Sequence, residues 1–570
     1  MSAMTRRWAG LGAVLAGALA LAACDAIPGM GGGEAVLDIP EIAPGELSEA
    51  TMKDVTRLLS SDEFEGRMPG TIGEEKTIAL LTERFKAAGL QPGNNGSWLQ
   101  EVPLIEITGK NYAPLTITGK GGAQSFAFGK DWVGVTYREE AATTLKDSEL
   151  VFVGYGINAP EKGWNDYAGL DVKGKTVVIL VNDPDWQSEG LDGPFGGKAM
   201  TYYGRWTYKY EEAARQGAAG ALIVHDTAPA SYGWNVVESS WTGPQAYAQR
   251  GENAPPLTQM NGWIQKDVAR KVLEAAGQDL DALTKAAQQK GFKAVPLGLT
   301  AATSFESTFR SFVSYNVIGI LPGSEAPEEY VLHTAHWDHL GRCSPAPDGD
   351  DICNGAVDNA TGTAALVALA EAHAKAGPAR RSLVFLAVTA EESGLLGATY
   401  YAQNPVFPLS QTVGGINMDA FQVAGRAKDV TVVGPGKSQL DLFLDAALKA
   451  DGRVATPSPK PEAGYYYRSD HFAFAKLGVP MLYVDGGEDL IEGGREAGAK
   501  VATDYTENRY HGPKDEFDES WDWSGVMSDL QLFFRIGRSL ATSTSWPNWN
   551  EGDEFKAVRD QSCAASEKGC

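Results

Sequence analysis

The stretch VLHTAHWDHLG, residues 331–341, runs from an apolar strand into a polar turn that ends on glycine. Successive side chains of a strand point to opposite faces, so His333 and His336, an odd number of residues apart, face different ways. His336 is thereby placed to act at the strand end, and His333 reads as structural. Downstream, NGAVDNATGT (354–363) sets Asp358 just ahead of an Ala-rich helix. The run LVFLAVTA (383–390) ends on the adjacent pair Glu391 and Glu392, followed by SGLLGATYY. GGINMD closes on Asp419, and His511 stands in ENRYHGPKDEF. Each of these residues falls on a loop after a strand or before a helix. In an open parallel sheet, ligands and catalytic groups gather there, outside the carboxyl ends of the strands.

Two imidazoles and four carboxylates in this order make an inventory for two zinc ions and one base. Zinc takes His nitrogen and carboxylate oxygen in four-coordinate shells, and a catalytic site keeps one position for water. If one Asp bridges two ions, each ion needs one His, one further carboxylate and a shared water. One Glu is then left free to move protons. Singly, each residue also has an ordinary reading. Glu391 and Glu392 would suit the first turn of a helix, Asp419 a strand-end turn, and Asp358 before Asn359 an Asx-turn. His225 and His373 read as packed histidines, and His339 as a loop residue or a support for its neighbours. The metal reading rests on the named residues occurring together, in order, with flanks that fit.

At this point the chain resembles the M28 co-catalytic zinc peptidases, which include secreted bacterial aminopeptidases and glutamate carboxypeptidases. The resemblance runs through HWDHLG, GAVDNATGTA, TAEESGLLGA, NMDA, YRSDHFAFAKLGVP and YHGPKDEF, over roughly 200 residues in the family's order. It implies that His336 and Asp419 hold one zinc, that Glu392 and His511 hold the other, and that Asp358 bridges them. Glu391 would be the general base, and Asp338 would hydrogen-bond the His336 imidazole and fix its tautomer. Tyr510 matches a position where family aminopeptidases place a phenol near the oxyanion. The expected reaction is attack on a peptide carbonyl by a shared water of lowered pKa. Glu391 would take its proton and pass it to the leaving amine, with Tyr510 among the donors to the developing oxyanion. Gly-x-Ser-x-Gly is absent around these motifs, so nothing there reads as a serine nucleophile elbow.

The N-terminus argues for export. Arg6 and Arg7 precede LGAVLAGALALAAC, an apolar run too short to span a bilayer comfortably and built like a secretory signal. It ends at Leu21-Ala22-Ala23-Cys24, which resembles the lipobox of bacterial lipoproteins. That implies cleavage after residue 23, acylation of Cys24, and a membrane-anchored protein facing the periplasm or cell surface; two or more chains hold stably where one does not. Residues 24–45 read as a tether. Cys343, Cys353, Cys563 and Cys570 remain, and three pairings are open to them. The sequence-local one, Cys343 with Cys353 and Cys563 with Cys570, fits an oxidising compartment.

A chain of 570 residues, 43% hydrophobic, carries more than one core. Its net charge of −24, from 49 basic and 73 acidic side chains, argues against nucleic acid as partner. The expected fold is α/β: a mostly parallel twisted sheet flanked by helices, over residues 46–144 and 298–545, interrupted at 145–297 by a β-rich segment. In that segment SELVFVGYGI, GKTVVILVND and GAAGALIVHD are short β-branched runs broken by glycine, and they resemble a protease-associated domain. Strands are expected at 315–320, 329–335, 383–390, 429–433 and 479–484. Helices are expected at 48–60, 74–88 and 438–450, the last with Leu440, Phe443, Leu444, Ala447 and Leu448 on one face and Gly452 as its stop. Residues 546–570 read as a poorly packed tail.

The run from Tyr465 to Phe472 matches the segment that borders the family's specificity pocket, so Tyr466, Tyr467 and Phe472 are candidates for an aromatic wall. A free α-amine can be held by carboxylates near the zincs, whereas a carboxypeptidase needs a basic cluster, for which Arg342, Arg468 and Arg509 are nearest in sequence. The balance favours an aminopeptidase acting on peptides. The alternatives are a glutamate-carboxypeptidase-like exopeptidase, a cyclase of N-terminal glutamine, and a non-catalytic receptor on the same fold.

Overall fold

Strand Ala326–His336 lies at the centre of the larger lobe because its apolar residues are buried on both faces, as a strand inside a parallel sheet requires. In the computed structural model, which describes residues 37–250 and 255–565, it pairs in parallel with Arg381–Val388 on one side and Thr412–Asn417 on the other. Met481–Gly486 continues the parallel set beyond Thr412–Asn417. The flanks are antiparallel: the end of Val295–Leu321 against Arg381–Val388, and Asp429–Val432 against Met481–Gly486. The sheet is thus parallel at its centre and mixed at its edges, with all five expected strands present. The expected strand at 315–320 is the last part of the 27-residue strand Val295–Leu321.

Helices cover both faces. Gly362–Lys375 is so rich in alanine that it is buried nearly all round, packed against Ala326–His336, Glu49–Leu59 and Ser524–Thr542. Ser524–Thr542 approaches the sheet closely at Gly537, where a Cβ would stand 2.4 Å from His333 Nε2. His333 is accordingly a core residue, stacked 5.0 Å from the Phe385 ring, and burial pushes its pKa down to about 3. On the opposite face, Leu396–Gln403 and His471–Ala475 close a core around Ile318, Leu332 and Leu386. Helix Leu440–Asp451 buries the five residues expected of it, and Gly452 ends it at φ 68°.

The second lobe is built on the parallel strands Ala142–Phe152, Thr176–Leu180, Gly220–His225 and Met260–Gln265. Separate cores lie on its two faces. Its extent differs from the expected 145–297. Leu115, Ile117, Phe126 and Trp132 share a core with Leu150, Phe152 and Leu222, so residues from about 115 onward contribute to it. At the other end Val295–Leu321 passes from one lobe into the other without a break, paired along Glu306–Val317 with the strand Leu99–Lys110. No turn chemistry marks such a boundary, because the same strand serves both sheets.

The C-terminal segment corrects a second expectation. Trp549, Phe555 and Arg559 are buried, and Arg559 donates to the carbonyls of Leu409 and Thr412 at 3.2 and 2.9 Å. Three widely spaced anchors within a polar stretch hold this tail, which hydropathy averaging hides. The unit Asp38–Cys570 holds both lobes. The expected signal, Cys24 and most of the tether lie outside the described residues, as does Cys570. Cys343 and Cys353 form the expected disulfide. Among the described residues no helix is long and apolar enough to cross a membrane.

Candidate metal centre

The expected ligands converge from five separate segments at the carboxyl ends of the parallel strands. His336 is the last residue of Ala326–His336, Glu391 and Glu392 follow Arg381–Val388, and Asp419 follows Thr412–Asn417. Asp358 lies in the turn before Gly362–Lys375, and His511 follows helix Gly494–Asn508. Ala390, Ala420 and His511 take left-handed φ values of 53°, 58° and 56°. Such backbone costs of order 1 kcal/mol or more for a residue with a Cβ, and here it turns the chain where Glu391, Asp419 and His511 must face inward.

Asp358 sits between the two imidazoles. Its Oδ1 is 3.3 Å from His336 Nε2 and its Oδ2 is 3.3 Å from His511 Nε2. Asp419 Oδ1 stands 3.2 Å from His336 Nε2, and Glu392 Oε2 stands 3.1 Å from His511 Nε2. Two ligand groups with metal-compatible spacing result, His336–Asp358–Asp419 and His339–Asp358–Glu392, and they share Asp358; the second contains His339 where His511 was expected, while His511 Nε2 stands 3.3 Å from Asp358 and 3.1 Å from Glu392. The donor set fits a pair of zinc ions: imidazole nitrogen and carboxylate oxygen on each side, with one carboxylate common to both.

The electrostatics follow from crowding acids around bases. Burial opposes charge on His336, but Asp419 and Glu391 beside it raise its pKa well above the ordinary range. His511 is raised likewise, by Glu392 and Asp358 against burial. Burial works to raise Asp358, and the hydrogen bonds from the two imidazoles bring it well below its usual value. Glu392 behaves similarly, held at about 2 by His511 and His339 against burial. Glu391 is the exception: burial, with Asp419, Glu392 and Asp470 nearby, pushes it well above the usual carboxylate range despite His336.

Several supports were not legible as such in the sequence. The His336 Nδ1 contact is with the backbone carbonyl of Asp338 at 3.2 Å, while the Asp338 carboxylate is 3.7 Å away. That carboxylate instead accepts the backbone N–H groups of Glu391 and Glu392 at 3.0 and 3.4 Å, so Asp338 positions the glutamate pair. His339 lies 2.6 Å from Glu392 Oε1 through Nδ1 and orients that carboxylate. Asn359 donates to the carbonyls of His336 and Met418 and accepts from Gly362 and Ala420, joining three loops. Asp515 accepts the N–H groups of Val357 and Asp358. Arg67, fully buried, donates to the carbonyls of Leu59, Trp337, Asn354 and Gly355.

The remaining expectations divide. Tyr510 is 48% exposed, and its ring stacks on His511 with centroids 3.8 Å apart. Tyr466, Tyr467 and Phe472 do not line an open wall: they are buried in a cluster with Trp549 and Phe555. Tyr467 donates to Glu554 at 2.7 Å. The C-terminal segment that covers them could not be foreseen from the tyrosine run. The exposed ring of that run is Tyr465.

Several known proteins resemble this chain in part. Residues 316–534 match the profile of peptidase family M28. A "Probable zinc metalloprotease" of Pyrenophora tritici-repentis is 35% identical over 210 residues, 35% of this chain and 42% of that protein. "Aminopeptidase NAALADL1" of Mus musculus is 32% identical over 130 residues, 22% of this chain and 16% of that protein. The chain therefore spans less than half the length of these curated relatives. Among solved structures, "Aminopeptidase from Aneurinibacillus sp. strain AM-1" aligns with a TM-score of 0.46 and 19% identity, over 87% of this chain and 94% of that one. The matched region, residues 316–534, contains His336, Asp358, Glu391, Glu392, Asp419 and His511, and over it the chain is similar to peptidase family M28.

Proposed function

We propose that the protein is a zinc-dependent exopeptidase, an aminopeptidase that releases N-terminal residues from peptides with two zinc ions at the Asp358 centre. The observation that carries the two-ion reading is the placing of Asp358, each of whose carboxylate oxygens faces a different imidazole. His336 and Asp419 would complete one side, and Glu392 and His511 the other. Zinc bound there supplies a Lewis acid for the scissile carbonyl and lowers the pKa of water near it. Glu391, held beside the ligands, would start as the carboxylate, take a proton from that water and deliver it to the leaving amine, ending as the carboxylate again. Asp338 fixes the backbone of Glu391, and Tyr510 offers a phenol toward the developing oxyanion.

The aminopeptidase reading is supported by the sign of the charge. The cluster is rich in carboxylates, and Arg67, a buried cation beside it, spends its donors on backbone carbonyls. Such a site suits an α-ammonium better than an α-carboxylate. The test is hydrolysis of N-free and N-blocked peptides with and without chelator, beside Glu391→Gln. Cleavage of only the N-free peptides, lost on chelation, restored by zinc, and reduced at least about 1,000-fold in Glu391→Gln with zinc content unchanged, is the expected outcome. Release of C-terminal residues from N-blocked peptides would move the protein to the carboxypeptidase reading. Two bound zincs without turnover would make it a receptor.

The second lobe is proposed to be a protease-associated domain, and the chain to be an exported lipoprotein acylated at Cys24. This reading is supported by the motif Leu21-Ala22-Ala23-Cys24 behind a basic, apolar leader. Cys24→Ser should move the protein from the membrane to the soluble fraction of its native host; continued membrane retention would count against the anchor.

A further inference from the structure

The long strand Val295–Leu321 carries an edge that no neighbour covers. Along residues 307–316 it pairs with residues 100–109 on one side, and among the described residues no strand lies on the other. Backbone contacts show which residues face that open side. Ser307 N–H donates to the Ala141 carbonyl at 3.0 Å, the Tyr315 carbonyl accepts from the Trp337 indole at 3.0 Å, and Val317 begins the pairing with Arg381–Val388. Backbone groups alternate sides along a strand, so those of Phe309, Ser311 and Val313 face the open edge.

Exposed edges are ordinarily blunted by charge, proline or a bulge. This one is apolar. Phe309 and Val313 are 39% and 41% exposed, and the one charged residue between them, Arg310, points to the opposite face, where it pairs with Glu106 at 2.9 Å. The apolar surface continues toward the metal centre. Phe312 lies against Gly70, where a Cβ would stand 2.8 Å from its ring, and Ile72 and Met68 on the same segment are 46% and 40% exposed. Met68 adjoins Gly341, and the Arg67 carbonyl before it accepts the His339 N–H at 3.4 Å. An exposed apolar track thus joins the edge to the rim of the centre.

The surroundings of the edge select its occupant. Ala141 belongs to the second lobe and Trp337 to the first, and both stand on the open side, so residues 309–313 are recessed between the lobes. The same edge of a second copy would be recessed in the same way, and two such strands cannot meet. A single extended chain can enter. Continuity with the metal centre points to substrate: the Ser314 hydroxyl lies 2.6 Å from Thr389 Oγ1, and Asn316 accepts the Thr389 N–H at 3.0 Å, two residues before Glu391. Charge gives the direction. The carboxylates of the centre suit the α-ammonium, so the rest of a peptide leaves from the Asn316 end and runs toward Phe309, antiparallel to the strand.

We propose that residues 309–313 bind the part of a peptide substrate beyond the scissile bond as an added antiparallel strand, so that the protein prefers extended peptides several residues long with apolar side chains at alternate positions. This rests on the exopeptidase reading above and names its substrate class. The N–H and C=O groups of Phe309, Ser311 and Val313 supply hydrogen bonds that do not depend on substrate sequence, while the Phe309 and Val313 side chains meet alternate side chains on one face.

The experiment uses the zinc-loaded chain and N-free peptides of two, four and eight residues that share their first residues and carry alternating valines. kcat/KM for the octapeptide should exceed that for the dipeptide roughly tenfold or more, the worth of a few interstrand hydrogen bonds with their side-chain contacts. Two further octapeptides, N-methylated at even or at odd amides beyond the scissile bond, read the strand geometry: one should lose the advantage and the other keep it. Ser311→Pro removes the N–H that faces the open edge and none that pairs with residues 100–109. It should collapse the octapeptide-to-dipeptide ratio toward one, mainly through KM, whereas Ser311→Ala should keep it. General damage to the fold would lower both rates and leave the ratio in place. Equal kcat/KM at all lengths, equal effects of the two methylation patterns, or a ratio that survives Ser311→Pro overturns the proposal, as does a dimer in sedimentation that Ser311→Pro dissociates. Octapeptide binding to zinc-loaded Glu391→Gln, read by anisotropy of a C-terminal label, separates this outcome from failure of the exopeptidase reading. With no turnover of any peptide, binding that weakens roughly tenfold or more when Ser311→Pro is added, and not with Ser311→Ala, still supports the edge. Absent binding, or binding that Ser311→Pro leaves unchanged, overturns it.

Discussion

A single residue, Arg67, holds together loops that are far apart in the chain. It lies 270 residues from Trp337 and 288 from Gly355, and it ties the loop after strand Ala326–His336 to the loop that leads to Asp358. Its four acceptors are backbone carbonyls, so the contact is independent of the side chains it orders. Arg67→Gln should leave several of these carbonyls buried and unpaired, at a cost of about 3 kcal/mol or more. Zinc retention should fall with it, because the spacing between His336 and Asp358 is no longer held. Urea unfolding with zinc analysis measures both, and a loss below about 1 kcal/mol with full zinc would refute the role. The candidate ligands were legible from motif order, since each sits on a loop after a strand or beside a helix end. Arg67, Asn359, Asp515 and His339 were not, because a hydrogen bond to a distant carbonyl leaves no local pattern.

Among the elements, helix Ile72–Ala87 is fastened to the long strand by a buried acid. Glu74 accepts from Gly70 N–H and from the Ser314 hydroxyl, which also contacts Thr389 at 2.6 Å. Burial raises the Glu74 pKa to about 7. The folded chain therefore keeps this proton to higher pH than the unfolded chain does, and the parent loses stability as pH rises from about 4.5 through about 7. Glu74→Gln keeps an acceptor and removes the titration. The variant should gain on the parent across that window, by on the order of 3 kcal/mol at its upper end. Unfolding midpoints from pH 5 to 8 check this, and a pH-independent difference would be the contrary result. Helix and strand positions were readable because their apolar periodicity is local. The antiparallel edges of the sheet were not, because orientation depends on which strand becomes the neighbour.

For the whole molecule, the C-terminal segment acts as a clamp. Trp549 donates to the Gly478 carbonyl at 2.8 Å, Phe555 packs on the tyrosine cluster, and Arg559 reaches the loop before strand Thr412–Asn417. A chain ending at Ser545 loses two buried aromatic rings and a buried guanidinium. It should be destabilised by at least about 4 kcal/mol, read by urea unfolding; an unchanged midpoint would mean that the segment is dispensable. The same truncation would uncover Tyr466, Tyr467 and Phe472, which ties the tail to the loop carrying Ser469 and Arg468. The lobe seam is also a property of the whole: residues near 200 and 465 meet only because one long strand carries both sheets.

The sequence by itself determined the α/β class, the sheet's central strands and helix faces, and the residue types of the candidate metal centre. Each of these is written in short-range periodicity, or in a residue type at a strand end. Tertiary structure alone decided that Asp358 stands between two imidazoles, that His339 braces Glu392 and that the tyrosines are covered. It also decided the lobe boundary. The reason is physical: these are contacts between segments tens to hundreds of residues apart, and their partners are chosen by packing rather than by any pattern along the chain.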